Sequence, residues 1–233
     1  CAPAQEPADR AEIEQIVRDY ILQNPEIIEE ALIELQRRAR QREQDAMLGA
    51  VTGSVDQLYG DARDPQVGAD TPVITIVEFF DYRCPYCTVA NEWVQATLAD
   101  HGDQVRVVYK EFPIRGEQST NAARASLAVW NVAPDSYEAF HNALMNASGP
   151  LPDDRIDAFA VTAGVDVAAM RAEMDSEAIT RQLADVRTLA HDIPTLAQSI
   201  GITGTPFFIV GDTVIPGADI DGLERAVNAA LAR

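Results

Sequence analysis

Two cysteines separated by two residues, Cys84 and Cys87, stand where an apolar, β-rich run meets a helical pattern. The run is Val73-Ile74-Thr75-Ile76-Val77-Glu78-Phe79-Phe80. The helical pattern carries Val89, Ala90, Trp93, Val94 and Leu98 on one face. A strand that feeds a helix whose first turn bears Cys-x-x-Cys is what dithiol/disulfide chemistry needs. The gap is about the smallest that lets both sulfurs meet across one helical turn. Unpaired N–H groups and the dipole at that helix end stabilise a thiolate on Cys84. Pro85 suits the first helical position, having no N–H to leave unpaired. Tyr86 adds bulk beside the sulfurs without charge.

Two other uses of such a pair weigh against this one. A structural disulfide across two residues closes a tiny loop and stabilises little. A four-cysteine zinc site needs a second pair, and the remaining cysteine, Cys1, does not supply it. A reduced pair near a surface can also hold Cu(I), a soft metal, so Cu(I) binding by Cys84 and Cys87 stays open. No cofactor and no other metal site is expected.

A net charge of −19 over 233 residues argues against nucleic acid or an anionic membrane as partner. No run of 18 apolar residues is present, so no transmembrane helix is expected. No signal peptide is visible and the chain does not begin with Met, as expected of a mature form. In a processed bacterial chain a leading cysteine is where lipid is attached, which makes Cys1 a candidate lipidation site; a spare thiol is the alternative.

Residues 1–8 read as a flexible tether. From Asp9 an apolar stripe begins, Ile13, Ile16, Val17, Tyr20 and Ile21, and Asn24-Pro25 interrupts it. A second helix follows, with Ile28, Leu32, Leu35 and Ala39 as a short heptad seam. Residues 9–48 bury too little alone, so they are expected to pack on copies of themselves or to fold back on their own domain. Residues 49–54 read as a linker, with an edge strand at Val55–Tyr59. The pattern next predicts strands at Ile74–Phe80 and Gln104–Lys110 around a helix from Pro85 to Leu98, a βαβ unit with parallel strands. Residues 117–192 are alanine-rich and helical, with predicted helices at 119–131, 134–146, 153–163, 166–173 and 176–190. Asp153 and Asp166 are expected caps. Trp130, Tyr137, Phe140 and Phe159 read as core, and His101, His141 and His191 as structural or surface. A hairpin, Pro206–Val210 and Thr213–Ile215 about a Gly211-Asp212 turn, then a helix capped by Asp219, close the chain. The fold class is α/β, a mixed sheet with helices on both sides.

Four features carry a resemblance to the thioredoxin superfamily, and within it to the bacterial DsbA-like thiol:disulfide oxidoreductases. They are Glu-Phe-Phe-Asp-Tyr-Arg-Cys-Pro-Tyr-Cys at 78–87, Tyr-Lys-Glu-Phe-Pro at 109–113, the helical insertion, and Gly-Thr-Pro-Phe-Phe-Ile-Val-Gly at 204–211. The helical leader looks most like that of the ScsC-type, copper-tolerance-linked disulfide isomerases. The resemblance implies a thioredoxin fold split into 55–116 and 193–233, with 117–192 as an inserted helical subdomain and 9–48 as an oligomerisation region giving a trimer or dimer. It implies a disulfide isomerase or reductase of the bacterial periplasm or cell envelope, served by a membrane reductase of the DsbD/ScsB type. A dithiol oxidase recharged by a DsbB-type oxidant is the alternative. Protein thiols and disulfides are the substrates.

The same resemblance assigns roles. Cys84 is the more exposed nucleophile and Cys87 the buried resolving partner of a redox-active disulfide. Pro206 is a cis-proline whose neighbour Thr205 binds an extended substrate segment through its backbone, with Pro85 and Tyr86 beside it. Glu78 is a buried acid that moves a proton for Cys87, and Lys110 is its partner on the next strand; a structural ion pair is the alternative. Asp81, Tyr82 and Tyr86 are expected at the rim, where an acid would disfavour the thiolates.

Overall fold

The computed structural model describes residues 10–190 and 200–232. Cys1, the 1–8 tether and His191 lie outside them. The chain divides into two compact units, Cys1–Ala46 and Met47–Arg233.

In the first unit, α1 (Arg10–Gln23) and the opening turns of α2 (Glu26–Gly53) are held by local charge pairing. Glu34 accepts from Arg37 and Arg38 at 2.7 Å each, and Arg10 pairs with Glu14. Exposed pairs at this spacing stabilise a helix by a few tenths of a kcal/mol, about 0.3–0.5 each. No residue of α1 is buried. Ile13, Ile16, Val17, Tyr20, Ile28, Leu32 and Leu35 all remain exposed. Both predicted helices form, and these stripe residues stay exposed while Ile21 and Ala39 are half-buried.

The second unit opens with the end of α2, then α3 (Val55–Tyr59), β1 (Gln66–Gly68), β2 (Ile74–Phe80), α4 (Pro85–His101) and β3 (Val105–Glu111). The helical block follows: α5 (Glu117–Val132), a 3-10 turn at Pro134–Ser136, α6 (Tyr137–Met145), α7 (Asp153–Thr162), α8 (Val167–Met174) and α9 (Glu177–Ala190). The hairpin β4 (Phe207–Val210) and β5 (Thr213–Pro216) and the helix α10 (Ile220–Leu231) complete it. The sheet order is β1-β3-β2-β4-β5. Only the β2–β3 pair is parallel.

Three expectations fail locally. Residues 55–59 are helical, not an edge strand, because only Leu58 is buried and one inward position suits a single turn better than an alternating strand. The edge strand is β1, which runs antiparallel to β3. Gly68 ends it at φ +108°, where a Cβ would stand 2.2 Å from the Val105 carbonyl oxygen. The expected linker at 49–54 is helical through Gly53, with Ala50 and Val51 buried. Burial of two small apolar residues outweighs the helix-breaking tendency of Gly49 and Gly53. Asp166 caps α8, accepting from the Ala168 and Ala169 amides, and Asp219 caps α10. Asp153 does not cap: Pro152 takes that position and Asp153 is the first residue of α7.

Register decides what each sheet face carries. Glu78 lies opposite Tyr109, and Phe79 opposite Lys110. One face therefore holds Ile76, Glu78 and Phe80 with Val107, Tyr109 and Glu111, the other Val77 and Phe79 with Val108 and Lys110. The first packs against α4, α10 and the helical block, including Tyr137, Phe140 and Leu144. The second packs against Leu58, Val186 and Leu189. There Phe79 meets Phe112 and Phe207 edge-on at 6.4 and 6.3 Å. Burying a side chain of that size stabilises the fold by about 1.5–3 kcal/mol.

Candidate active site

The site is built at the carboxyl end of β2. Cys84 occupies the N-cap position of α4 with extended backbone, and Pro85 begins the helix. The amides of Cys87 and Thr88 bond back to the Cys84 carbonyl. The opposite wall is the loop before β4, where the Thr205–Pro206 peptide is cis. As a thiol, Cys84 Sγ donates to the Thr205 carbonyl at 3.2 Å. Thr205 and Pro206 also line a cavity of 440 Å³ with Met47, Thr203, Phe207 and Pro216.

Both cysteines are free thiols and both are buried. Cys84, expected as the more exposed of the two, is 1% accessible, with the Thr205 loop folded over it, and Cys87 is fully buried. Their electrostatics nevertheless separate. The Cys87 thiol, donating to Cys84, is the largest cause holding the Cys84 pKa down at about 5. Burial works against it, and Thr205 and the Cys87 and Tyr86 amides add donors. Cys87 is pushed far up, by burial first, then by its bond to Cys84 and the nearby Glu78 carboxylate. The pair thus holds one proton on Cys87 and a thiolate on Cys84 near neutral pH.

Glu78 is fully buried, and among the described residues neither carboxylate oxygen has a hydrogen-bond partner. Burial first, then the field of Cys84, raises its pKa to about 8. An acid so placed exchanges protons near neutral pH, within reach of the field of Cys87.

Lys110 does not join this group, which corrects its assignment as the partner of Glu78. Its register with Phe79 sends it to the other sheet face. There Nζ bonds Asp64 and the Gln57 carbonyl, and Asp64 also accepts from Gln182. Lys110 and Asp64 are each 1% accessible. The open alternative, a structural buried ion pair, holds for Lys110 with Asp64 in place of Glu78. Lys110→Met should therefore destabilise the protein by about 3–5 kcal/mol by stranding a buried carboxylate. It should leave the pH profile of Cys84 alkylation unchanged; a shift in that profile would restore Lys110 to the site.

The rim also differs from expectation. Tyr86 is exposed, as is Pro85. Asp81 and Tyr82 are buried. Asp81 is an anchor: it accepts from the Arg83, Ile114 and Arg115 amides and the Ser119 hydroxyl at 2.7–2.9 Å. All four donors converge on this one carboxylate. The Asp-x-Arg step is an Asx-turn, which the spacing could have revealed. Tyr82 donates to Ser126 at 2.7 Å and lies 2.9 Å from His141 Nδ1. His141 is buried, and burial lowers its pKa to about 3. Glu111, a second buried acid on the Glu78 face, was missed because the predicted strand stopped at Lys110. The alternation Val107, Tyr109, Glu111 was the available signal.

The DSBA-like thioredoxin domain matches residues 75–228, and the copper resistance protein ScsC N-terminal domain matches residues 9–42. Disulfide bond formation protein D of Bacillus subtilis is 33% identical over 177 residues, covering 72% of this chain and 77% of that protein. A crystal structure of Proteus mirabilis ScsC in a transitional conformation superposes with TM-score 0.69 at 33% identity, covering 98% of each chain. A periplasmic thioredoxin-like protein from Salmonella enterica serovar Typhimurium gives TM-score 0.62 at 32% identity, over 76% of this chain and 95% of that one. The chain belongs to the DSBA-like thioredoxin domain family, as a thiol:disulfide oxidoreductase of the DsbA/ScsC type.

Proposed function

We propose that the protein is a disulfide isomerase and reductase of the bacterial periplasm or cell envelope, working as a homo-oligomer. The observation that carries the reading is the division of protons between the sulfurs: Cys84 is ready to attack and Cys87 stays protonated until needed. The Cys84 thiolate attacks a client disulfide, forming a mixed disulfide and releasing a client thiolate, which takes a proton from solvent. A second client thiolate then attacks the client sulfur of the mixed disulfide and frees Cys84, so the client is reshuffled with no net redox change. In the reductase branch Cys87 loses its proton to Glu78, attacks Cys84 Sγ, and expels the reduced client thiolate. The Cys84–Cys87 disulfide that remains needs two electrons from a membrane reductase, and the one proton held by Glu78 returns to Cys87 to restore the Cys84 thiolate and the Cys87 thiol. Thr205 backbone groups, beside Pro206, Pro85 and Tyr86, hold the extended client segment by strand addition.

The apolar stripes of α1 and α2 support self-association. Seven exposed Ile, Leu, Val and Tyr side chains on two helices are more than a solvent-facing region ordinarily shows. Several sites around one client also favour repair, since attachment at one raises the local concentration of the others. Native mass and repair of a scrambled disulfide protein, measured with and without residues 1–46, test the reading. The whole chain should be a multimer that repairs, and the shortened chain a monomer about tenfold slower. A monomeric shortened chain that repairs at the full rate would leave oligomerisation without a role.

A further inference from the structure

Arg83 and Arg115 lie in different loops, one after β2 and one after β3, yet their amides share one buried carboxylate. Arg83 N donates to Asp81 Oδ1 at 2.7 Å and Arg115 N to Asp81 Oδ2 at 2.9 Å. The Ser119 hydroxyl and the Ile114 amide fill the remaining acceptor positions. Arg83 Nη1 reaches across to the Arg115 carbonyl at 3.3 Å. Both arginines are exposed, and Arg83 is the residue immediately before Cys84. Among the described residues neither guanidinium has a carboxylate partner, although Glu117 is close in sequence. In a chain of net charge −19, this places two exposed cationic residues, tied by the bond from Arg83 to the Arg115 carbonyl, in the loops beside the nucleophile.

The anchor itself does not need these side chains, since Asp81 uses only their backbone. An arginine contributes a fixed fork of N–H donors that matches a carboxylate. Tyr86, in the first turn of α4, and Ile114, in the loop of Arg115, are also exposed and add apolar surface.

Resting on the proposed oxidoreductase reading, we propose that Arg83 and Arg115 form a carboxylate-binding mouth that selects client segments carrying an acidic residue beside the reacting cysteine. The selection is one of register. At distances beyond the roughly 8 Å screening length the acidic surface does not attract acidic clients. Only a carboxylate brought to the mouth as its neighbouring sulfur meets Cys84 gains the contact.

Two disulfide-bridged peptides that differ only in Glu or Lys beside one cysteine test this, with reduced whole-chain protein as reactant. Each rate is divided by that of the same peptide with dithiothreitol, which removes the effect of the charge on the peptide's own reactivity. The neutral disulfide 4,4′-dithiodipyridine reports the competence of Cys84. The normalised Glu/Lys ratio should be roughly fivefold at about 0.15 M salt, the scale of two exposed charge contacts, where screening over about 8 Å limits the pull of the distant acidic surface. It should approach one at about 0.5 M salt, where screening shortens to a few ångströms. In the double variant Arg83→Glu, Arg115→Glu the ratio should invert, and because it is a ratio within one protein it is insensitive to partial misfolding. A ratio near one in the unmodified protein overturns the mouth while leaving the oxidoreductase reading intact. A ratio that persists in the double variant overturns it too, placing the preference elsewhere. A protein that does not react with the neutral disulfide overturns both readings.

Discussion

Alkylation of Cys84 by iodoacetamide is expected to titrate with a midpoint near pH 5, the value set chiefly by the Cys87 thiol donating to it. The profile against a free cysteine should cross over. At pH 6 a free thiol of pKa about 8.5 is roughly 0.3% thiolate and Cys84 roughly 90%, a gain of about 300-fold. A low-pKa thiolate is also a weaker nucleophile. With a Brønsted slope of about 0.45, the difference of about 3.5 units costs roughly 40-fold. Cys84 should therefore react about eightfold faster than a free thiol at pH 6 and at least tenfold slower above about pH 9. Cys84→Ser supplies the background. A midpoint near that of a free thiol would remove the basis for calling Cys84 the nucleophile. In Cys87→Ala the largest cause of the low value is gone, so the midpoint should rise.

What could be read from the residues follows the range over which each feature is decided. The strand and helix flanking the cysteines, the helical block and the final hairpin rest on local periodicity and turn chemistry, and all appear. The cysteine pair and the Thr205–Pro206 wall are motif-bearing, and the fold brings Cys84 Sγ to the Thr205 carbonyl. Lys110 failed for a different reason. Its neighbour across the sheet depends on a one-residue register, and that register aligns Phe79, not Glu78, with it. Its true partner, Asp64, sits in a loop whose path no periodicity describes. The anchoring role of Asp81 was hidden likewise, because its four donors come from three separate stretches of chain that meet only in the folded protein. Val55–Tyr59 shows the limit of short windows: five residues with one inward side chain fit a strand or a helical turn equally well.

The reduced Glu78→Gln variant is expected to gain stability relative to the parent as pH rises from about 4.5 to about 8, while the low pKa of Cys84 tilts both curves the other way and leaves the difference to Glu78. The Glu78 carboxyl is raised from an ordinary 4.5 to about 8 by burial first and by Cys84 second. For an acid raised in the folded state, the unfolded chain loses its proton first. The favourable term is thus complete below about pH 4.5 and is lost as pH climbs toward 8. At pH 7 the difference is about 2.5 units, or roughly 3 kcal/mol of destabilisation. Glutamine substitutes one neutral, unpartnered buried group for another, so the packing cost is small and the pH term vanishes. The variant should be about 3 kcal/mol more stable than the parent at pH 7 and about equal to it at pH 4. Glu111, whose carboxyl burial also raises, bends both curves alike and cancels in their difference. Denaturant titrations of the two reduced proteins across this range measure it; parallel curves would mean that Glu78 carries no such shift. The same change should slow the step in which Cys87 gives up its proton, so mixed disulfide with client should accumulate in the variant. A residue that costs stability at working pH and speeds this step belongs to the chemistry; one that only costs stability is a packing defect, and the two measurements together separate the cases.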